Sequence, residues 1–361
     1  MLAVRPLACR SGVMVSSTLL LLAALSGLAR ADDPGAWLDR MHTALAELSY
    51  QGEFSYYHGG ELASLSIAHA VVDGVRHERL VHLNGTPREV VRHGDTVTCV
   101  LHPGDRLIDL EQSVPAGPFA QSYGRVLDGL PEGYQATLVG EDRIAGRTAV
   151  KLRIDPESAD RYGYRLWLDH ETALLLRSEL LDTADTALEI FQFVRIEIGS
   201  PIDTVMLEAS VGDHLVKHEL VKRDRVSPDW VGRDPRQAVG AFASASSSPM
   251  TGGDGVEWEA GWVPAGFAMA SADIRRVPSR TDSVANLVYS DGMATFSVFL
   301  ERAPADLSPV HVARHGATVA VMRRVMAETP EPWLVTVVGE VPIETAERVA
   351  EHIRPRSASG D

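Results

Sequence analysis

Cysteine is nearly absent. The 361-residue chain has two, Cys9 and Cys99. Cys9 falls in an N-terminal stretch that reads as a leader. A lone remaining cysteine cannot form an internal disulfide, so the fold must rest on its core. Basic residues are in deficit, 34 Lys and Arg against 49 Asp and Glu, for a net charge of −15. So acidic a chain repels phosphate backbones, which excludes nucleic-acid binding as its main activity. Beyond residue 31 there is no apolar run long enough to read as a membrane span. Familiar catalytic signatures are missing too: no G-x-S-x-G, no GK[ST] phosphate loop and no G-x-G-x-x-G opening a helix. The His-Glu pairs His77-Glu78 and His218-Glu219 have Val81 and Lys222 where a metalloprotease needs its second histidine. His58, His69, His77, His82, His93 and His102 scatter over strands and turns without i, i+2 or i, i+4 pairing. They read as polar sheet-face or turn residues, with no metal site and no cofactor.

What is present is an ordinary globular mix, 45% apolar and 23% charged, in a chain long enough for two or three domains. Arg5 and Arg10 precede an apolar stretch, Val13 to Leu28, centred on Leu19 to Leu22. Ala29-Arg30-Ala31 then offers an A-x-A cleavage site before Asp32 and Asp33. This pattern predicts a signal peptide over residues 1–31, cut after Ala31. No cysteine follows the apolar stretch, so the leader is not of the lipoprotein kind. Cleavage removes Arg5, Arg10 and Arg30 and no acid, so the mature chain is more acidic still.

Asp33 and Pro34 have the form of an N-cap and first helical position, and Trp37, Met41, Ala44, Leu45 and Leu48 follow at helical spacing. Short β-branched and aromatic runs come next. They are separated by Gly59-Gly60, Asp73-Gly74, Asn84-Gly85, Gly94-Asp95 and Pro103-Gly104, the rhythm of an antiparallel meander. Gln112 to Tyr134 interrupts it with three prolines around a short helical segment, Phe119 to Leu130, as a lid or binding loop would. Strands resume near Ala136 and run to about Ile198.

Within Ile190 to Ile198, simple alternation puts Ile190, Val194, Ile196 and Ile198 on one face and Phe191 and Phe193 on the other. Both faces are then partly apolar. That suits a sheet curled around a ligand, or one merely packed on both sides. With Phe54 and Tyr56 on the first strand and Leu65 and Ile67 on the second, Phe191 and Phe193 form the candidate lining of an apolar, lipid-accepting pocket. Each could instead be plain core, the commoner place for such a residue. Cys99, alternating with Val97 and Leu101, reads as a buried apolar residue. Residues 204–254 read as a connector, charged at first and then rich in Ser and Gly. Beyond it, a β-rich run to Val288, the turn Tyr289-Ser290-Asp291-Gly292, a second β-rich run, a strand from Trp333 and a helix over Thr345 to Ile353 predict a smaller unit.

Several stretches in order resemble one family. They are Trp37-Leu38 with Met41, Leu48, Tyr50, Gly52, Phe54 and Tyr56-Tyr57; Tyr164 to Asp169; Leu174 to Ser178; and Leu188 to Phe191. In the second unit they are Trp262-Val263-Pro264 with Gly266-Phe267, Tyr289 to Gly292 with Phe296 to Val298, and Val338 to Pro342. Together they are similar to the RseB family, called MucB in pseudomonads, periplasmic regulators of the envelope-stress sigma factor. Thr204 to Asp254 departs from it, being longer and more charged than the family connector.

The resemblance implies a β-rich α+β protein. Its large N-terminal domain would be a half-open antiparallel barrel with plug helices, like the lipoprotein carriers LolA and LolB, followed by a smaller C-terminal antiparallel sheet with a short helix. The expected divisions are a signal peptide at 1–31, the barrel at 32–203, the connector at 204–254 and the small domain at 255–357. The implied activity is binding, not catalysis. The protein would hold the periplasmic segment of a single-span anti-sigma factor of the RseA/MucA type and shield it from regulated proteolysis. Lipid A, lipopolysaccharide or lipoprotein acyl chains would release it. Homo-oligomers are left open. Two other classes remain: a lipoprotein or lipid carrier of the LolA type, for which the second unit is superfluous, and an exported hydrolase with a non-standard site.

Overall fold

The computed structural model describes residues 33–94, 96–101, 130–210, 216–221, 250–251, 257–276, 283–303, 310–326 and 332–355. The expected signal peptide, most of the expected insert and the Ser- and Gly-rich runs of the connector lie outside them.

Helix α1 (Pro34–Glu47) begins as its sequence dictates. Asp33 accepts a hydrogen bond from the Gly35 amide at 3.1 Å, and Pro34 fills the first turn, where no donor is needed. Its buried stripe, Trp37, Leu38, Met41, Ala44 and Leu45, packs into the core of a large antiparallel sheet. That sheet has eleven strands: β1 (Tyr50–His58), β2 (Glu61–Val72), β3 (Val75–His82), β4 (Glu89–His93), β5 (Thr96–Leu101), β6 (Tyr134–Ile144), β7 (Arg147–Pro156), β8 (Gly163–Asp169), β9 (Leu175–Leu181), β10 (Ala187–Ile198) and β11 (Val216–Val221). Its order is β11-β5-β4-β3-β2-β1-β10-β9-β8-β7-β6. It is thus two meanders, β1 to β5 and β6 to β10, joined where β1 pairs with β10. Among the described residues the sheet ends at β11 and β6. Gly59-Gly60 (φ 58° and 91°) and Asp73-Gly74 (φ 51° and 77°) make the tight turns their sequences predict, because two-residue hairpin loops of this kind need positive φ at both positions.

Two parts of the large sheet differ from what alternation and composition suggest. Opposite β10, the register slips between Glu53 and Phe54: Glu53 faces Arg195 and Phe54 faces Phe193, so Val194 is the extra residue of a β-bulge. The bulge reverses the alternation beyond it. Phe191, Phe193 and Ile196 share one core, Ile198 packs against it, and Val194 is 61% exposed. The expected placing of Ile196 and Ile198 opposite Phe191 and Phe193 is therefore corrected: all four face one core, and half-buried Ile190 stays on the other side. Second, the charged start of the expected connector continues the large sheet. A 3-10 turn, Thr204–Leu207, is capped by Asp203 and buries Leu207 against Ala68 and Ala70, and β11 pairs with β5.

The second unit has its own core. Strands β12 (Met250–Thr251), β13 (Glu257–Ala260) and β20 (Ile353–Pro355) make a three-stranded sheet. Beside it is a six-stranded antiparallel sheet of β14 (Ala268–Arg276), β15 (Ser283–Ser290), β16 (Thr295–Arg302), β17 (Val310–His315), β18 (Thr318–Val325) and β19 (Trp333–Gly339). Its order is β14-β15-β16-β19-β18-β17. Helix α2 (Ile343–His352) buries Ala346, Val349 and Ala350 with Val319, Val321, Val335 and Val337. Phe296 and Gly339 are cross-strand partners at very close approach. A side chain at Gly339 would overlap the Cβ of Phe296, so the position admits only glycine.

Candidate functional site

The six candidate pocket residues lie on one face of the large sheet, and strand register explains why. Leu65, Phe54 and Phe193 form one cross-strand row across β2, β1 and β10. Ala63, Tyr56 and Phe191 form the next row, and Ile67, Gly52 and Ile196 the row on the other side. The Phe54 ring lies 4.8 Å from Phe191 and 5.8 Å from Phe193, centroid to centroid, in tilted and edge-on contacts. Gly52 is where the bulged β10 closes in: a Cβ there would overlap the Arg195 carbonyl oxygen. Five of the six are buried, and Tyr56 is half-buried at the margin, donating its hydroxyl to Glu189 at 2.8 Å. In this structure the set packs in one core with the apolar stripe of α1.

Next to these apolar rows is a polar one that sequence reasoning missed. Tyr50, His69 and Glu78 are successive cross-strand partners on β1, β2 and β3, all buried. Tyr50 and His69 stack with centroids 4.8 Å apart. The His69 Nδ1 meets the Leu48 carbonyl at 3.0 Å, so this nitrogen carries the proton and Nε2 is left as an acceptor. Burial holds the His69 pKa down at about 4 and lifts that of Glu78 to about 7, against the nearby cations Arg92 and Arg76. The signal was in the alternation: Leu65, Ile67 and His69 sit two apart, so a histidine had to share their inward face.

The second feature is the joint between the two sheets. Arg161, in the β7–β8 loop, donates to Asp291 of the β15–β16 turn at 2.8 Å, with both side chains buried. Tyr134 donates its hydroxyl to the same carboxylate at 3.1 Å, and burial pushes its pKa well up. Arg161 also donates to the Ala265 carbonyl and lies over the rings of Tyr134 and Phe267. The other Asp291 oxygen shapes its own turn, accepting from the Met293 and Ala294 amides at 2.9 and 2.7 Å. Tyr162 donates to the Val341 carbonyl at 2.9 Å and Thr345 to the Asp160 carbonyl at 3.0 Å. Further along, His58 pairs with Glu189 at 2.8 Å and meets His315 edge-on at 4.6 Å. Donating this hydrogen bond to the Glu189 carboxylate raises the His58 pKa above its ordinary value. Beside them, Tyr56, Glu61, His82, Arg88 and His315 line a cavity of about 260 Å³. Sequence reading placed Asp291 only in a turn and gave Arg161 no role, because their partnership spans the two units.

Among the described residues, no three His, Cys, Asp or Glu side chains gather as a metal site, and no helix is long and apolar enough to cross a membrane. The geometry is that of a two-unit β-sheet protein, with an apolar inner face and a tightly bonded joint as its distinctive features.

The chain belongs to the MucB/RseB family: residues 33–211 match the family's N-terminal domain and residues 253–354 its C-terminal domain. It is 36% identical over 350 residues to the sigma factor AlgU regulatory protein MucB of Pseudomonas aeruginosa, covering 95% of this chain and 98% of that one. It is 28% identical over 332 residues to the sigma-E factor regulatory protein RseB of Escherichia coli, covering 89% and 90%. Among solved structures, MucB in complex with the periplasmic part of MucA is similar at TM-score 0.67 and 33% identity, over 90% of this chain and 100% of that one. MucB alone is similar at TM-score 0.56 and 31% identity, over 90% and 98%. The family is one of regulators, not enzymes.

Proposed function

We propose that this protein acts in the periplasm, where it binds the periplasmic segment of a single-span anti-sigma factor and shields it from regulated proteolysis. Acyl chains from lipid A, lipopolysaccharide or mislocalised lipoprotein enter the large unit and release the segment, so the envelope stress response is restrained until lipid accumulates. One observation carries most weight: the likeness to MucB bound to MucA runs through both units in order, over nine-tenths of this chain. The half-open barrel belongs to the same proposal, with the inner face around Phe54, Leu65, Ile67, Phe191 and Phe193 as the acyl-accepting wall once it opens. Each buried methylene of an entering chain contributes about 0.8 kcal/mol. Linkage sets the condition for release: lipid frees the segment only if it binds the free protein more tightly than the complex. A simple lipid carrier is disfavoured by the joint, since a carrier has no use for a second unit bonded on through Arg161 and Asp291.

The test has three steps. The mature chain is used to pull down partners from an envelope extract, and a single-span protein should co-purify. Its periplasmic segment should resist the site-one protease in the complex. Lipopolysaccharide should restore cleavage. Co-purification of none, or cleavage unaffected by binding, overturns the proposal.

A further inference from the structure

We infer that the outer edge of β17 docks an extended segment of the anti-sigma factor as an added strand. This inference rests on the proposed function and names the surface it uses. Among the described residues β17 is the last strand of the six-stranded sheet and pairs with β18 alone, and all six of its residues are exposed. Exposed edges invite pairing, and proteins blunt them with bulges, proline or charge. The edge strands β6 and β14 each carry a register slip, between Leu138 and Gly140 and between Met269 and Ser271. β17 runs without a slip and without proline from Val310 to His315.

The hairpin fixes which groups face out. His315 and Thr318 are partners across a two-residue loop whose first residue, Gly316, has φ +59°. In such a hairpin the flanking pair is mutually hydrogen-bonded, so His315, Ala313 and His311 bond to β18. The amides and carbonyls of Val310, Val312 and Arg314 therefore point away from the sheet. On the same rows, Val312 lies opposite Val321 and Arg314 opposite Val319, both core residues under α2. Val310 and Val312, 45% and 44% exposed, thus extend the apolar face past the rim of the core.

Charge selects the occupant. From Val310 to Met326 the hairpin has Arg314, Arg323, Arg324, His311 and His315 and no Asp or Glu before Met326, in a chain whose acids outnumber its bases 49 to 34. Arg323 is paired with Glu351, which leaves the Arg314 end as the cationic side of the edge. The fitting segment is extended and acidic, with aliphatic residues at alternate positions over Val310 and Val312. A second copy of this chain offers the same basic hairpin and is repelled.

The experiment uses the full mature chain and the periplasmic domain of the anti-sigma factor that it captures. Val312→Pro removes an outward amide without breaking the β18 ladder, so folding should survive. Affinity should fall about tenfold or more, with an unchanged melting temperature. Arg314→Glu should weaken binding and Arg314→Lys restore it. In the wild-type complex, hydrogen exchange should slow at the Val310, Val312 and Arg314 amides. Val312→Pro binding within about twofold of wild type, or unprotected amides at those three positions, overturns the inference while leaving the proposed function standing. Should Val312→Pro not fold, the exchange result decides. If the edge instead mediates a dimer lost in Val312→Pro with partner binding intact, the inference is overturned in favour of a second copy. Capture of no partner at all defeats the proposed function and this inference together.

Discussion

Replacing Asp291 with asparagine should strip the joint of its central charge while keeping its turn. The side-chain oxygen of the asparagine would still accept from the Met293 and Ala294 amides, so the β15–β16 hairpin should form. Arg161 would then be left as a cation with only 2% of its side chain exposed and no carboxylate opposite. Removing one partner of a buried ion pair costs about 3–5 kcal/mol. The remaining acceptor, the Ala265 carbonyl, offsets a fraction of that. An expected loss of about 3 kcal/mol is large enough to detach the small unit before either core melts. Calorimetry should show one transition for the wild type and two for Asp291→Asn. The double variant Arg161→Met, Asp291→Asn should regain most of the loss, because an apolar side chain tolerates this dry site and a lone cation does not. If Asp291→Asn costs less than about 1 kcal/mol and the protein still melts in one transition, the ion pair is not what couples the sheets.

On the inner face, Ile67→Asp and Phe193→Asp separate pocket lining from core. A lining position should stay folded and lose lipid-driven release, whereas a pure core position should lower the melting temperature sharply, measured by circular dichroism. The buried polar row gives opposing pH dependences. The Glu78 pKa is raised to about 7, so its contribution is present below about pH 4.5 and lost as pH rises through 7. The His69 pKa is lowered to about 4, so its contribution is present above about pH 6.5 and lost as pH falls through 4. Glu78→Gln should therefore leave stability that declines only toward acid, and His69→Leu stability that declines only toward neutral pH, both read from urea unfolding at stepped pH. Cys99, 3% exposed, should react with a bulky thiol reagent only after denaturant is added, and rapid native labelling would refute its burial.

Much of the fold was legible. The α1 cap, the Gly59-Gly60 and Asp73-Gly74 turns and the β15–β16 hairpin follow from local chemistry, because a cap or a positive φ needs only a few adjacent residues. The face assignment of β10 was not legible, since the bulge at Val194 arises from its partner strand and leaves no local mark. The order of the joint was hidden for the same reason: Arg161 and Asp291 are far apart in sequence, and neither stands out among many charged residues. The six inner-face candidates were chosen by residue type, and register brought them into adjacent rows. The polar row beside them went unread because Tyr50, His69 and Glu78 are commonplace alone and unusual only as neighbours.

The pairing of β1 with β10 also bears on how the chain reaches its native state. Tyr50 lies opposite Ile198, whereas every other contact between neighbouring strands of the two meanders is made by segments close in sequence. Each meander can zip up from its own hairpins in microseconds, but the seam must wait for the whole of residues 50 to 198 to emerge and for one long loop to close. In a chain made from its N-terminus, β1 is made long before the β10 strand that satisfies its free edge. Until then it displays Tyr50, Phe54 and Tyr56 on an open edge, which is the interval in which a newly made molecule is most prone to pair with its neighbour.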